Sequence, residues 1–246
     1  MLDIWNTFPA SMGDDQAWIT YNHAYADIAK ADNRNTHLRI RVGFHKPTEQ
    51  GLPTNEEFPK LSTLDESLEK IIHNNGGLYV GRITVAGHRY FYYYLEKKEE
   101  KIQKDIEQIA KSSNYKLQYL WESDPEKKKY WNELYPTDDD WQVIEDLKVL
   151  DALSEKGDNK DKKREVLHWA YFSTKDSASR FKEWAIGKNY KIIHMGPSDD
   201  KSEFMVEYSH IGTMNLGDIT HHTISSNRKA RELNGSYDGW ETSVEK

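Results

Sequence analysis

From Thr36 to Phe44 the chain alternates with a period of two. Leu38, Ile40, Val42 and Phe44 point one way, and His37, Arg39, Arg41 and Gly43 point the other. This pattern predicts a strand with one buried face. Such a strand needs partners, and the following residues supply them. Ser62-Thr63-Leu64-Asp65-Glu66 reads as a helix start, with Leu64, Leu68, Ile71 and Ile72 inward and Asn74-Asn75-Gly76-Gly77 as its stop. Leu78 to Ala86 reads as a strand, Gly87-His88 as a tight turn, and Arg89 to Leu95 as the hairpin partner. Glu96 to Lys111 is a charged helix with Ile102, Ile106, Ile109 and Ala110 as its stripe, and Asn114 to Trp121 is a last strand. Ala17 to Asn22 could form an extra strand. Residues up to Gly13 carry no clear pattern, and 45–60, with Pro47, Gly51, Pro53 and Pro59, read as a loop.

The order strand, helix, strand, strand, helix, strand then returns. Pro125 to Tyr135 predicts a short helix, and Thr137-Asp138-Asp139-Asp140 caps another, with Trp141, Ile144, Leu147, Leu150 and Leu153 inward. After Gly157 and a charged loop over 158–165 come a strand (Val166 to Phe172), a helix (Thr174 to Ile186) and a strand (Tyr190 to Met195). A turn follows over Gly196 to Asp200, then a strand (Ser202 to Tyr208), a helix (Asn215 to Leu233) and a final strand over Trp240 to Val244. The expected fold is α+β, with two ferredoxin-like βαββαβ sandwiches over 1–137 and 138–246. Each sheet would carry helices on one side and leave the other open.

Of the 246 residues, 37% are hydrophobic and 30% charged, enough apolar matter for cores beneath a polar surface. Lys plus Arg number 34 and Asp plus Glu 41, net −7, which argues against a generic DNA-backbone binder. Residues 138–246 hold 16 basic and 21 acidic residues, net −5, which suits a basic protein partner. With no cysteine there are no disulfides, thiolate metal sites or cysteine nucleophiles, and a cytoplasmic location fits. No apolar run approaches the roughly 20 residues of a membrane helix, and the start, Met1 to Asn6, lacks the pattern of a signal peptide.

Catalytic signals are weak. His221-His222 point about 100° apart on a helix and share no chelating face; Asp218 is their one candidate companion. Asp138-Asp139-Asp140 reads as a helix cap rather than a magnesium site. No Gly-x-Ser-x-Gly, Gly-x-Gly-x-x-Gly or zinc spacing occurs, so neither a cofactor nor a metal is expected. The run Arg89-Tyr90-Phe91-Tyr92-Tyr93-Tyr94 places Tyr90, Tyr92 and Tyr94 on one face of the central hairpin. RNA-recognition sheets stack bases on such aromatics. Their Gly-containing signature is missing here, and the acidic balance weighs against RNA, so protein packing or a protein interface is the preferred reading. Tyr237-Asp238-Gly239-Trp240 reads as a packed C-terminal turn.

The second half resembles the family of ribonuclease E regulators of the inhibitor B type. Three stretches carry this: Val166-Leu167-His168-Trp169-Ala170-Tyr171-Phe172, the helix from Ala178 leading to Tyr190, and Asn234-Gly235-Ser236-Tyr237-Asp238-Gly239-Trp240-Glu241-Thr242. The last is close to the Gly-Gly-x-Tyr-Asp-Gly-Trp ending of that family, with Asn234 in place of its first glycine. The first half resembles a bacterial domain-of-unknown-function family often fused to it, through Trp18-Ile19-Thr20-Tyr21, 38–44, Gly81-Arg82-Ile83-Thr84 with 89–94, and Trp131 to Pro136. The resemblance implies a non-catalytic, cytoplasmic protein-binding regulator whose partner is a ribonuclease or an RNA-degradation complex. The expected partner-binding residues are Tyr90, Tyr92, Tyr94, Trp169, Tyr237, Asp238 and Trp240. Two alternatives stand beside this reading: RNA binding through the tyrosine face, and an enzyme using His221 or His222.

Overall fold

The computed structural model describes residues 4–198 and 202–246. The start of the chain, Met1 to Asp3, and the Asp199–Asp200 end of the expected turn lie outside the described residues. The chain forms two compact units, Met1–Asp140 and Trp141–Lys246.

The first unit is built on a six-stranded sheet in the order β1-β2-β4-β5-β3-β6. The strands are β1 (Trp5–Met12), β2 (Asp15–Asn22), β3 (Thr36–Gly43), β4 (Leu78–Val85), β5 (His88–Leu95) and β6 (Leu117–Ser123). All neighbouring strands are antiparallel. The βαββαβ core, β3 to β6, lies with its first and third strands in the middle. After a short α1 (Tyr25–Ile28), helices α2 (Phe58–Asn74) and α3 (Glu100–Ser113) cover one face. The alternation of β3 explains this: Leu38, Ile40 and Val42 meet Phe91 and Tyr93 of β5, Leu61, Leu64, Leu68 and Ile72 of α2, and Ile102 and Ile106 of α3.

Several boundaries differ from the expectation. The unpatterned start is a strand: β1 pairs with β2 along its whole length and carries Pro9 at the sheet edge, where a missing N–H breaks no ladder. Only its Phe8 is buried, so it shows no alternation to read. Helix α2 begins at Phe58, not near Ser62, because Pro59 sits in its first turn, where an N–H has no helical partner to lose. The hairpin turn is Ala86-Gly87, at φ 48° and 75°, so β5 starts at His88. Within the stretch expected as a short helix, Tyr130–Leu134 forms a π-helical turn.

The second unit has a four-stranded antiparallel sheet in the order β10-β7-β9-β8. Its elements are α4 (Asp138–Glu155), whose first three residues belong to the first unit, β7 (Arg164–Phe172), α5 (Lys175–Gly187), β8 (Lys191–Pro197), β9 (Phe204–Gly212), α6 (Leu216–Glu232) and β10 (Gly235–Thr242). First and third strands are again central. The Thr137 N–H donates to Asp140 Oδ2 at 2.9 Å while the Asp140 N–H donates to Thr137 Oγ1 at 3.3 Å, the reciprocal cap that the acidic run predicts. Ala170, Phe172, Ala178, Phe181, Ala185, Val206 and Ala230 form the core beneath α5 and α6. The charged loop is anchored at its ends, where Asp158 and Arg164 pair through both oxygens and both side chains are buried, while 159–163 between them are exposed.

The Tyr237-Asp238-Gly239-Trp240 stretch corrects the expectation. It is not a terminal turn but lies within β10, paired with β7 from Gly235 to Thr242, with a bulge between Tyr237 and Gly239. Asn234, at φ 55°, ends the connection from α6. A Cβ on Gly235 would fall 2.3 Å from the Phe172 ring, so this first strand residue must be glycine for β10 to close on β7.

Candidate functional site

The seven expected partner-binding residues separate into two groups. Tyr90, Tyr92 and Tyr94 do share one face of β5, opposite the helices, but that face is partly covered. The Tyr94 hydroxyl donates to Asp124 Oδ2 at 2.6 Å and accepts from the Tyr130 N–H at 3.3 Å. Tyr25 stacks on Tyr94 with ring centres 5.8 Å apart, and Tyr130 meets Tyr25 edge-on at 4.8 Å. Tyr92 donates to Glu133 Oε2 at 2.7 Å. Burial pushes the Asp124 carboxyl up, but hydrogen bonds from Tyr94 and from the Lys129 and Lys128 backbone outweigh it and hold Asp124 below the usual carboxylate range. Tyr92 and Tyr94 are therefore interior residues under the segment from Asp124 to Leu134. Tyr90 alone of the three stays half-exposed.

In the second unit, Tyr237 and Trp240 face the helices. Trp240 Nε1 donates to Asp146 Oδ1 at 2.9 Å, and the same carboxylate accepts from Thr223 Oγ1 at 2.5 Å and Gln142 Nε2 at 3.0 Å. Asp146 is fully buried, so this node ties β10 to α4 and α6. Sequence periodicity missed it, since Gln142 and Asp146 interrupt the apolar stripe of α4. Asp238, beside the bulge, is exposed.

Trp169 lies on the other face of β7, with Leu167 and Tyr171. Across the register it faces Glu207, and Tyr171 faces Met205, both on β9. Ile211 of β9 is 66% exposed and Ile193 of β8 is 41% exposed. Glu165 Oε1 accepts from Ser209 Oγ at 2.8 Å and lies 3.5 Å from Lys191 Nζ. The described helices of this unit pack on the opposite face. The result is an aromatic and aliphatic sheet surface, edged by acidic groups, that no described element of the unit covers.

Behind that sheet lies a chain of rings. His168 Nδ1 and the Tyr237 hydroxyl are 2.8 Å apart, His168 Nε2 and His210 Nδ1 2.9 Å, and His222 Nδ1 and the Tyr190 hydroxyl 2.7 Å. His210 stacks on His222 at 3.7 Å. Burial, then the neighbouring imidazoles, hold His168 well below the usual histidine range; burial first lowers His210 to about 4 and also lowers His222. His221 is exposed, as expected of a solvated helix residue, whereas His222 joins this cluster. Asp218 accepts from the Thr213 N–H and hydroxyl, each at 2.8 Å. Among the described residues, no three His, Asp or Glu side chains are placed to hold a metal.

Residues 3–135 match the model of a family described as "Family of unknown function (DUF695)", which spans more than half of the chain. The chain belongs to this family. In this DUF695 protein a second match follows: residues 143–242 fit the RraB family, "Regulator of ribonuclease activity B". No curated protein is significantly similar to the chain. A solved structure titled "Crystal Structure of an Unknown Protein from Galdieria sulphuraria" covers 85% of this chain and 99% of its own at 9% identity. Its TM-score to this chain is 0.24. The DUF695 match runs from β1 to the π-helical turn that buries Tyr92 and Tyr94. The RraB match takes in Asp146, the histidine cluster, the Trp169 surface and all of β10. Among the described residues, no helix is long and apolar enough to cross a membrane.

Proposed function

We propose that this protein is a non-catalytic regulator that acts in the cytoplasm, and that its RraB-like half binds a ribonuclease or a subunit of an RNA-degradation complex. The observation that carries the reading is the RraB match over a unit whose outer sheet face presents Trp169, Tyr171, Leu167, Met205 and Ile211. Aromatic and aliphatic side chains on a rigid sheet give a partner large contact area at small entropic cost. The net charge of −5 over residues 138–246 supplies the second element. A ribonuclease needs basic surfaces to hold phosphates, so an acidic domain can occupy them and exclude RNA. Asp238, exposed at the bulge of β10, lines a hollow with Gln142 and Glu145 of α4 and adds to the acidic charge of the unit; Tyr237 and Trp240 hold that strand in place.

Affinity capture from a nuclease-treated host lysate tests this. Wild-type protein should retain a ribonuclease at low salt and lose it as salt rises. Trp169→Ala with Ile211→Ala should lower retention about tenfold or more, the effect of removing an interface anchor. Salt-insensitive retention would remove the electrostatic part; equal retention by the double variant would place the contact elsewhere.

A further inference from the structure

The covering segment that buries Tyr92 and Tyr94 does not reach the next pleat of the first sheet. There, Arg41 of β3 lies opposite Tyr90 of β5 and opposite Gln118 of β6, and Arg39 lies opposite Leu120. These side chains line a shallow cavity of about 310 Å³. Beside it, Arg41 and Gln118 also line a smaller hollow with Lys116.

The hydrogen bonds of Arg41 fix its position without neutralising it. His88 Nδ1 lies 2.7 Å from the Ala86 carbonyl, which only an N–H can satisfy, so the other ring nitrogen, Nε2, is the acceptor for Arg41 Nη2 at 2.6 Å. Arg41 Nη1 donates to Gln118 Oε1 at 3.0 Å. Both partners are uncharged, so the guanidinium is oriented and keeps its full charge. That arrangement also turns the Gln118 amide NH₂ away from Arg41, leaving it to donate elsewhere. Among the described residues, neither Arg41 nor Lys116 forms an ion pair with a carboxylate. Arg39 lies 3.7 Å from Glu133, which also accepts from Tyr92 and from Lys129. The guanidinium carbons of Arg39 and Arg41 are each 5.9 Å from the centre of the half-exposed Tyr90 ring.

A cationic pair of forks beside an aromatic ring, on a protein of net charge −7, selects an anion that carries a planar ring. A phosphate fits the forked donors of arginine, and a base stacks on a tyrosine ring or a guanidinium plane. Gln118 adds an amide for a base edge, and Leu120, 44% exposed, adds apolar contact. An acidic peptide would use the charge and leave the ring idle. The cavity volume suits one such unit. We propose that Arg39, Arg41, Tyr90 and Gln118 form a binding site for a nucleotide unit, supplied either as a free mononucleotide or as part of a single-stranded RNA. This inference is independent of the ribonuclease reading, which concerns the other unit.

Fluorescence anisotropy of the full chain with a labelled single-stranded oligoribonucleotide tests it, with adenosine 5′-monophosphate as competitor. Wild-type protein should bind saturably and more weakly as salt rises. Tyr90→Phe keeps the ring and should bind within about twofold of wild type. Tyr90→Ala should lose about 5- to 150-fold, the range for one lost base stack. Arg41→Gln should weaken binding and reduce the salt slope by about one. Competition by the mononucleotide at matched nucleotide concentration identifies the free nucleotide as ligand; a clear preference for the oligomer identifies RNA. All variants should melt close to wild type, and if Tyr90→Ala did not fold, Arg41→Gln alone would carry the test. Absence of saturable binding by both probes, or binding unaltered in Tyr90→Ala and Arg41→Gln, would overturn the proposal.

Discussion

Asp146→Ala should lower the stability of the second unit by about 3–5 kcal/mol, the largest loss expected from a single substitution there. The carboxylate is fully buried and accepts three hydrogen bonds, from Thr223, Gln142 and Trp240. Alanine leaves the Gln142 and Trp240 donors without this acceptor and leaves the Thr223 hydroxyl only the Thr220 carbonyl, at 3.5 Å. Each buried unpaired donor costs about 1–3 kcal/mol, and local relaxation recovers part of the sum. A loss of this size would lower the melting temperature by roughly 15–30 °C for a unit near 100 residues. Asp146→Asn should cost less, about 1–2 kcal/mol, because its carbonyl still accepts and the Thr223 hydroxyl can rotate to accept from the amide. Urea denaturation followed by tryptophan fluorescence would separate the two variants. Melting of Asp146→Ala within two or three degrees of wild type would mean that β10 is held by something other than this node.

Acidification should destabilise the same unit before any carboxylate titrates in bulk. Burial depresses the folded-state values of His168, His210 and His222, whereas an unfolded histidine titrates near 6.5. Below that value the unfolded chain takes up protons that the folded cluster refuses. Stability is therefore full above pH 6.5 and falls as pH drops toward the folded values, about 4 for His210. A fully buried imidazole such as His168 costs about 1.4 kcal/mol per pH unit in this window, or about 2 kcal/mol by pH 5. His210 and His222 are partly exposed and add less. The first unit has a buried histidine of its own, His37, lowered to about 4 by burial. There Asp65, raised to about 6 by burial, works in the opposite direction, because protonating it favours the folded state. Burial raises the Asp146 carboxyl of the second unit in the same way, which offsets part of its histidine cost, so the expected loss there is that of three rings set against one carboxylate. Urea denaturation at pH 7 and pH 5 checks this, and His210→Phe should flatten the dependence by the share of one proton. Stability unchanged between the two pH values would contradict the placement of these rings in a water-poor cluster.

The parts of this molecule that sequence made legible are those set by local periodicity. The alternation from Leu38 to Val42 correctly assigns the helix-covered face, and the same parity separates Phe91 and Tyr93 from Tyr90, Tyr92 and Tyr94. What period two cannot supply is what covers the second face. Tyr92 and Tyr94 are buried by Tyr130, Glu133 and Asp124, residues some 30 to 40 positions away that carry no signal of their destination. The histidine cluster is unreadable for the same reason: His168, His210 and His222 come from two strands and a helix. Asp146 disrupts the apolar stripe of α4 and so looks like a surface residue, although its partner Trp240 lies 94 positions on. Strand β1 escaped because a half-exposed edge strand with Pro9 and a single buried Phe8 has neither alternation nor strong strand propensity.

In the role proposed for it, the RraB-like unit regulates a ribonuclease through the outer face of its sheet. Its most direct test is an RNA-cleavage assay with the host ribonuclease and increasing amounts of this protein, wild type beside Trp169→Ala/Ile211→Ala. Cleavage should slow in saturable proportion to wild-type protein, and the double variant should need about ten times more or fail. Cleavage unaffected by wild-type protein at saturating concentration, or slowed equally by the double variant, would contradict it.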